Sequence, residues 1–285
     1  KGIDLPPQKR RVGYLFQQFA LFPNMTVAQN IAAGAHDKPR AERQRIVEEM
    51  ASKLRLVGLE TKRPHQLSGG QQQRAALARI LAGEPAAVLL DEPFTALDSY
   101  LKWQLEQELR RALAAFKGPC IWVSHDRDEI YRNCERLCIM EQGKTEPPRD
   151  KHDLFADPRT LGAARLSGCR NFIRAQAGSA PTAVFLPAWN VVLEAGRPVP
   201  ADIAWAGLRA HSLRPAQFGD VNRLACEVAQ AIEDVFAMIL LLRVKGAGPD
   251  APLLRMEIPK ADWHGQVEMA ISIAPQDVLL LWERA

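Results

Sequence analysis

The rhythm of apolar residues changes part way along this chain. Up to about His152, short unbroken apolar runs alternate with helix-period stripes. Ala86–Leu90 is a run of the length and density expected of a strand buried on both faces of a parallel sheet, Cys120–Ser124 reads as another buried strand, and Val12–Gln18 as a strand running into a loop at Phe19–Pro23. Between them, Thr26 opens one predicted helix. Ile46, Val47, Met50, Leu54 and Val57 stripe a second from about Pro39 to Leu56. Ala75, Ala76, Leu77, Ile80 and Leu81 follow Gln71 on a third, and Leu101, Leu105, Leu109 and Leu113 recur every four residues from Tyr100 to Phe116. Arg136–Met140 followed by Glu141–Lys144 reads as a strand and hairpin turn, Leu154–Pro158 as a short helix, and Thr160–Leu166 as a connector. From Asn171 the pattern becomes short β-rich segments broken by Gly and Pro: 183–186, 190–193, 224–229, 237–244, 253–258, 267–273 and 278–282. Strand and helix alternating and then strands alone predict an α/β domain followed by a small β-barrel or sandwich.

Length agrees, because 285 residues suit about two domains, each with its own core. The net charge of +4 is uneven, with 11 basic and 12 acidic side chains in residues 170–285 against 26 and 21 before them, but too balanced for a nucleic-acid surface. Lys9-Arg10-Arg11 and Arg40, Arg43 and Arg45 read as solvated faces. The five cysteines (120, 134, 138, 169 and 226) form no C-x-x-C pair and suit free thiols. Phe236–Val244 is too short to span a bilayer and contains Arg243, and no secretory signal opens the chain.

The chemistry sits at the edges of the predicted strands. Leu67-Ser68-Gly69-Gly70-Gln71 precedes a helix, and free N–H groups at a helix N-terminus attract phosphate; taken alone, the same residues also suit a simple cap and turn. The Ala86–Leu90 run delivers Asp91 and Glu92 to the C-terminal edge of the sheet, where one carboxylate can serve a metal and the next an attacking water. Cys120–Ser124 delivers His125 to the same edge, and Val12–Phe16 leads into Gln17.

The order Gln17, Leu67–Gln71, Asp91-Glu92, Ala96-Leu97-Asp98, His125 resembles the nucleotide-binding subunit of ABC transporters, over residues 1–165. The resemblance implies an α/β P-loop NTPase with a helical subdomain at about 25–80 that faces membrane subunits, ATP and Mg²⁺ as cofactors, and a homodimer sandwiching two nucleotides head to tail. It implies that Gln17 touches Mg²⁺ and the membrane partner, and that Ser68, Gly69, Gly70 and Gln71 reach the γ-phosphate held by the opposite subunit. Asp91 would serve Mg²⁺, Glu92 would be the general base, Asp98 would cross the dimer and His125 would hold the γ-phosphate. The wording Phe16–Pro23 is similar to importers, whose loop here receives a permease helix, so the Phe22-Pro23 tip suits either interface or core. Partners would then be membrane permease subunits and, through them, a solute-binding protein. The chain would lie in the cytoplasm, peripheral on the inner face of the membrane.

The family's G-x-x-x-x-G-K-[ST] loop is absent: the lone Gly143-Lys144-Thr145 has Cys138 where glycine is required and lies beyond the catalytic strands. With Lys1 standing a few residues before the Gln17 strand, the expectation is an ATPase domain incomplete at its N-terminus, inactive alone and able to complete a partner's site. Residues 166–285 more faintly resemble the TOBE/Mop-like barrel of molybdate-type subunits, through Ser167–Phe172, Ala206–Arg209, Leu213–Pro215 and Ile273–Val278. That resemblance nominates molybdate or a related oxyanion as solute and Arg170, Asn171, Arg209 and Ser212 as an anion site; a purely structural barrel fits equally. Import of sulfate, iron(III), sugar or polyamine, a DNA-maintenance ATPase and a non-catalytic remnant are the competing readings.

Overall fold

The computed structural model describes residues 4–94, 99–114 and 116–283. The chain divides into two compact units, Lys1–Asn133 and Cys134–Ala285.

The first unit is built on three parallel strands, β1 (Val12–Leu15), β2 (Ala87–Asp91) and β3 (Cys120–Val123), in the order β1-β2-β3. Helices α1 (Val27–Gly34), α2 (Arg40–Lys53), α3 (Gly69–Ala82), α4 (Ser99–Ala114) and α5 (Arg127–Asn133) complete it. Leu15, Val88 and Leu90 are fully buried among Ile31, Ala75 and Ala78 of the helices, each large aliphatic side chain contributing about 2 kcal/mol of burial. Gly13 is required for this packing, because a Cβ there would meet Ile80 Cγ2 of α3 at 2.3 Å. The register Tyr14↔Leu89↔Ile121 and Asp91↔Val123 places these residues on the other face. There Val12, Tyr14, Ile121 and Val123 are exposed. The expectation of strands covered on both faces therefore holds for one face only among the described residues. Helix α2 ends earlier than its apolar stripe suggested: Leu56 N–H reaches back to Ala51 O at 2.8 Å, closing a C-terminal cap around Arg55, whose φ is +54°.

The second unit opens with β4 (Arg136–Leu137), β5 (Met140–Glu141), β6 (Lys144–Thr145) and β7 (Arg149–Asp150). The predicted hairpin turn is present, with Gln142 and Gly143 both at positive φ between β5 and β6. Two short helices follow, α6 (Lys151–Ala156) and α7 (Leu161–Leu166). The connector expected at Thr160–Leu166 is thus a helix, capped by the Thr160 hydroxyl on Ala163 N–H. Then come β8 (Asn171–Arg174), β9 (Gln176–Ala177), β10 (Ala183–Leu186), β11 (Val191–Glu194), β12 (Trp205–Leu208), β13 (Leu213–Pro215), β14 (Arg223–Glu233), β15 (Ala237–Val244), β16 (Leu254–Pro259), β17 (Glu268–Ile273) and β18 (Leu279–Leu281). They form antiparallel sheets ordered β11-β10-β9, β18-β12-β8 and β13-β17-β14-β15-β16. All three close on one core, in which Ile173, Val184, Trp189, Leu193, Ala206, Leu240, Met256 and Ile271 are buried together; this is the barrel-like β architecture expected.

The chain divides into its two compact units at Asn133/Cys134. The physical reason lies in α7 and β18: Ala164 packs with Cys169, Leu279 and Leu281, and Thr160 bridges to Trp282. The stretch before the barrel is held by the barrel's own last strand.

Candidate functional site

Three adjacent parallel strands deliver the candidate residues to one edge. Gln17 follows the end of β1 and is exposed, Asp91 is the last residue of β2, Glu92 comes next, and His125 follows β3. This is the C-terminal edge, where α/β sheets place their ligand chemistry.

Glu92 adopts φ +46°, the left-handed region that costs a non-glycine residue about 1–2 kcal/mol. Its N–H donates to Val123 O at 2.9 Å, so the turn is pinned to the neighbouring strand. The turn aims the carboxylate at His125: Oε1 accepts the His125 N–H at 3.1 Å and lies 2.7 Å from its Nδ1. Asp91 Oδ2 accepts the Tyr14 hydroxyl at 2.7 Å. That hydrogen bond, with burial and the nearby charge, raises the Tyr14 phenol above its ordinary 10.0.

Behind His125 lies a charged network that sequence reasoning missed. Asp126 Oδ1 accepts the Asp128 and Glu129 N–H groups at 2.9 and 3.0 Å, capping α5. Lys102 of α4 bridges Asp126 at 2.6 Å and the buried Glu129 at 2.9 Å; Trp122 Nε1 donates to Glu129 at 2.6 Å. Desolvation opposes charge on Lys102, but these two carboxylates outweigh it and raise its pKa. One helical turn on, the fully buried Glu106 takes two hydrogen bonds from Arg132, at 2.8 and 2.9 Å, and one from Asn133 at 2.8 Å. Burial resists its ionisation, yet these partners hold its pKa below the usual range. The only hint in sequence was the i, i+4 spacing of Lys102 and Glu106, one position along from the Leu101–Leu113 stripe.

At the N-terminus of α3, Ser68 and Gln71 form a reciprocal capping box, with Ser68 Oγ accepting Gln71 N–H at 3.4 Å and Gln71 Oε1 accepting Ser68 N–H at 2.9 Å. Gly70 packs closely, since a Cβ there would stand 2.9 Å from Leu105 Cδ2 of α4 and the leucine would have to shift. Its lack of a side chain serves helix contact as well as the close ligand approach expected from sequence. Gln72 ties Pro64 O and Leu67 O, at 3.1 and 3.3 Å, to the same helix.

The loop after Gln17 is held from beneath. Arg79 of α3 donates to Ala20 O at 2.8 Å and lies over the Phe22 ring at 5.0 Å; buried Asn30 brackets Phe22 through its N–H (2.9 Å) and O (3.2 Å). Phe16, Phe22 and Met25 are exposed, so the tip is surface while Phe19 and Leu21 pack on the core. Asp98 lies outside the described residues.

Asp91 and Gln17 offer two oxygen donors, which suits Mg²⁺, a cation that keeps several waters and takes its remaining ligands from phosphate. Glu92 and His125 supply a carboxylate and an imidazole beside them.

The barrel residues form no such set. Asn171 is buried with its amide spent on Leu208 O (2.8 Å), Arg255 O (2.9 Å) and Arg255 N–H (2.6 Å). Arg209 turns to Phe155 O at the end of α6 and to Ser167 Oγ; Arg170 is exposed and Ser212 is half-buried. Strand pairing and the end of α6, which demand saturated backbone groups, engage Asn171 and Arg209.

Comparison with known proteins completes the picture. A family model described as ABC transporter matches residues 2–95. An Fe(3+) ions import ATP-binding protein of Haemophilus influenzae is 42% identical over 171 residues, covering 59% of this chain and 48% of that protein. A spermidine/putrescine import ATP-binding protein of Rubrobacter xylanophilus is 35% identical over 237 residues, 80% of this chain and 63% of that protein. An Fe(3+) ions import ATP-binding protein of Rhizobium meliloti is 33% identical over 304 aligned positions, 99% of this chain and 75% of that protein. The chain spans about half the length of several of the curated relatives it matches.

Proposed function

The chain belongs to the ABC transporter ATP-binding family, and from that membership we propose that it serves as the ATPase subunit of an importer. The observation that carries the reading is the convergence of Gln17, Asp91-Glu92 and His125 at one edge of β1, β2 and β3. In the proposed reaction Asp91 and Gln17 would hold Mg²⁺, which would neutralise phosphate charge when bound. Glu92 takes the proton of the attacking water, and the Glu92–His125 contact opens so that His125 can donate to the γ-phosphate. Ser68 and Gln71 exchange their mutual bonds for phosphate contacts across a head-to-tail dimer.

Residues 1–285 contain no G-x-x-x-x-G-K-[ST] segment. We therefore assign these residues the water-activating and composite halves of the site, with the phosphate cradle supplied by that segment wherever it resides. Among the described residues no helix is long and apolar enough to cross a membrane, so membrane attachment would run through permease subunits. For the solute, the relative aligned along 99% of the chain favours Fe(3+); molybdate rests on the short barrel motifs alone. The experiment is reconstitution: the chain, with a relative's G-x-x-x-x-G-K-[ST] segment fused ahead of residue 1, in proteoliposomes with the cognate permease and binding protein, assayed for ATP-dependent uptake of Fe(3+), molybdate and spermidine. Uptake of none of them, with no stimulated hydrolysis, would overturn the reading.

A further inference from the structure

In the second unit, strand β14 outruns one of its two neighbours. Its pairing with β17 covers residues 223–227 and closes where Val228 N–H donates to Val267 O at 2.8 Å, whereas β15 accompanies it as far as Glu233↔Met238. A register shift between Val228 and Gln230 separates the two parts. Beyond it, residues 229–233 are exposed and have no strand on the side away from β15 among the described residues. At the turn Asp234 N–H donates to Ala237 O at 2.9 Å. Antiparallel alternation then gives the bonds with β15 to Asp234, Ile232 and Gln230, and turns the N–H and C=O groups of Ala231 and Glu233 to the empty side. Edges that stay single are commonly blunted by lysine, proline or an inward charge. Ala229, Gln230, Ala231 and Ile232 supply none of these, and Glu233 is already paired with Lys260 at 2.7 Å. Apolar groups mark both ends of the slot: Val235 and Phe236 at the turn are 72% and 91% exposed, and Val267 at the head of β17 is 75% exposed.

We propose that this edge pairs with the same edge of a second copy of the chain, antiparallel about a two-fold axis at Ile232. The register follows from the residues. Ala231 of each copy faces Glu233 of the other, so the four outward N–H and C=O groups on each side are used, and no like charges stand directly opposite. Ile232 meets Ile232 of the second copy across the axis, where side chains of a non-hydrogen-bonded pair approach most closely. Val235 then lies opposite Ala229 of the other copy, and the Val235-Phe236 turn reaches the exposed Val267 at the end of the slot. Any other occupant would have to bring its own match for that apolar end; a second copy carries it. So short a pairing falls below the roughly 800 Å² per partner of a standard interface, and the association is correspondingly weak, with a Kd of about 10–500 μM. Nothing in this inference depends on the ATPase reading.

The test is sedimentation equilibrium of the full 285-residue chain without nucleotide and under reducing conditions, up to about 1 mM. A reversible dimer is expected, weakened about tenfold or more in Ile232→Lys, which opposes two charges across the axis at an exposed position. Oxidative cross-linking checks the register, in a background where the exposed Cys120 and Cys138 are replaced by serine. Ile232→Cys should form a disulfide-linked dimer, because Cα atoms of such a pair lie about 4.5 Å apart, within disulfide reach. Gln230→Cys, which faces Asp234 of the second copy, should not. A chain that stays monomeric throughout, a dimer indifferent to Ile232→Lys, or equal cross-linking of the two cysteine variants overturns the proposal.

Discussion

His125 and Glu92 are joined twice: the His125 N–H and the His125 ring both meet Glu92 Oε1, at 3.1 and 2.7 Å. Both contacts fall on one oxygen and orient the carboxylate against the His125 ring. When a relative's G-x-x-x-x-G-K-[ST] segment is fused ahead of residue 1, Mg²⁺-dependent phosphate release is expected. Glu92→Gln should lower it by about 100-fold or more while preserving nucleotide-bound dimers. Turnover unchanged by the substitution would remove Glu92 from the role of base.

Tyr14 and Asp91 give a spectroscopic check on the metal-side carboxylate. The phenol donates to Asp91 and its pKa is raised. The neutral phenol is the bonded form, so its stabilising contribution is complete below the unfolded value near 10 and fades as pH rises through the folded one. Ultraviolet titration of Asp91→Asn should show the Tyr14 transition falling back toward its ordinary value. The same midpoint in both proteins would contradict the contact.

Glu106 is the group most exposed to a partner's loss. Arg132→Met leaves its buried charge with Asn133 alone, at a cost of about 3 kcal/mol, the low end for a broken buried pair because Arg132 is partly exposed. A lowered folded pKa means that the stabilisation is present above the unfolded carboxylate value near 4.3 and lost as pH falls through the folded value. Urea unfolding should therefore separate the variant from the parent near pH 7 and bring them together in acid. An equal gap at both pH values would show that the charge is not the cause.

In the second unit, Asn171→Ala should cost about 2–4 kcal/mol, because it leaves Leu208 O, Arg255 O and Arg255 N–H without the amide that serves them. Thermal melting measures this. If melting were unchanged but oxyanion affinity fell, Asn171 would return to the role of ligand.

Asp220 sets an acid limit on the same unit. The Gln217 N–H at 2.6 Å, Arg214 at 2.5 Å and the Ser272 hydroxyl at 2.9 Å hold its carboxyl at about 2. Its contribution is present above the unfolded value near 3.9 and disappears as pH falls toward 2. Asp220→Asn should melt lower than the parent near pH 6 and converge with it in strong acid; a gap that persists in acid would point to packing instead.

Sequence alone determined the strands that carry Asp91, Glu92 and His125, the capped helix after Ser68 and the β-rich second part. Each is a local matter: a run of apolar residues, a Ser-x-x-Gln cap or a Gly-broken alternation fixes its own element. Only the tertiary structure decided what those residues touch. Gly70 makes room for Leu105, more than thirty positions away in the chain. Asn171 spends its amide on Arg255, and α7 packs on β18. Glu108 of α4 likewise pairs with Arg55 at the end of α2 and with Arg74 of α3. Such contacts join segments distant in sequence, and their partners are chosen by packing and by the demand that every buried polar group be paired; no local pattern encodes that choice.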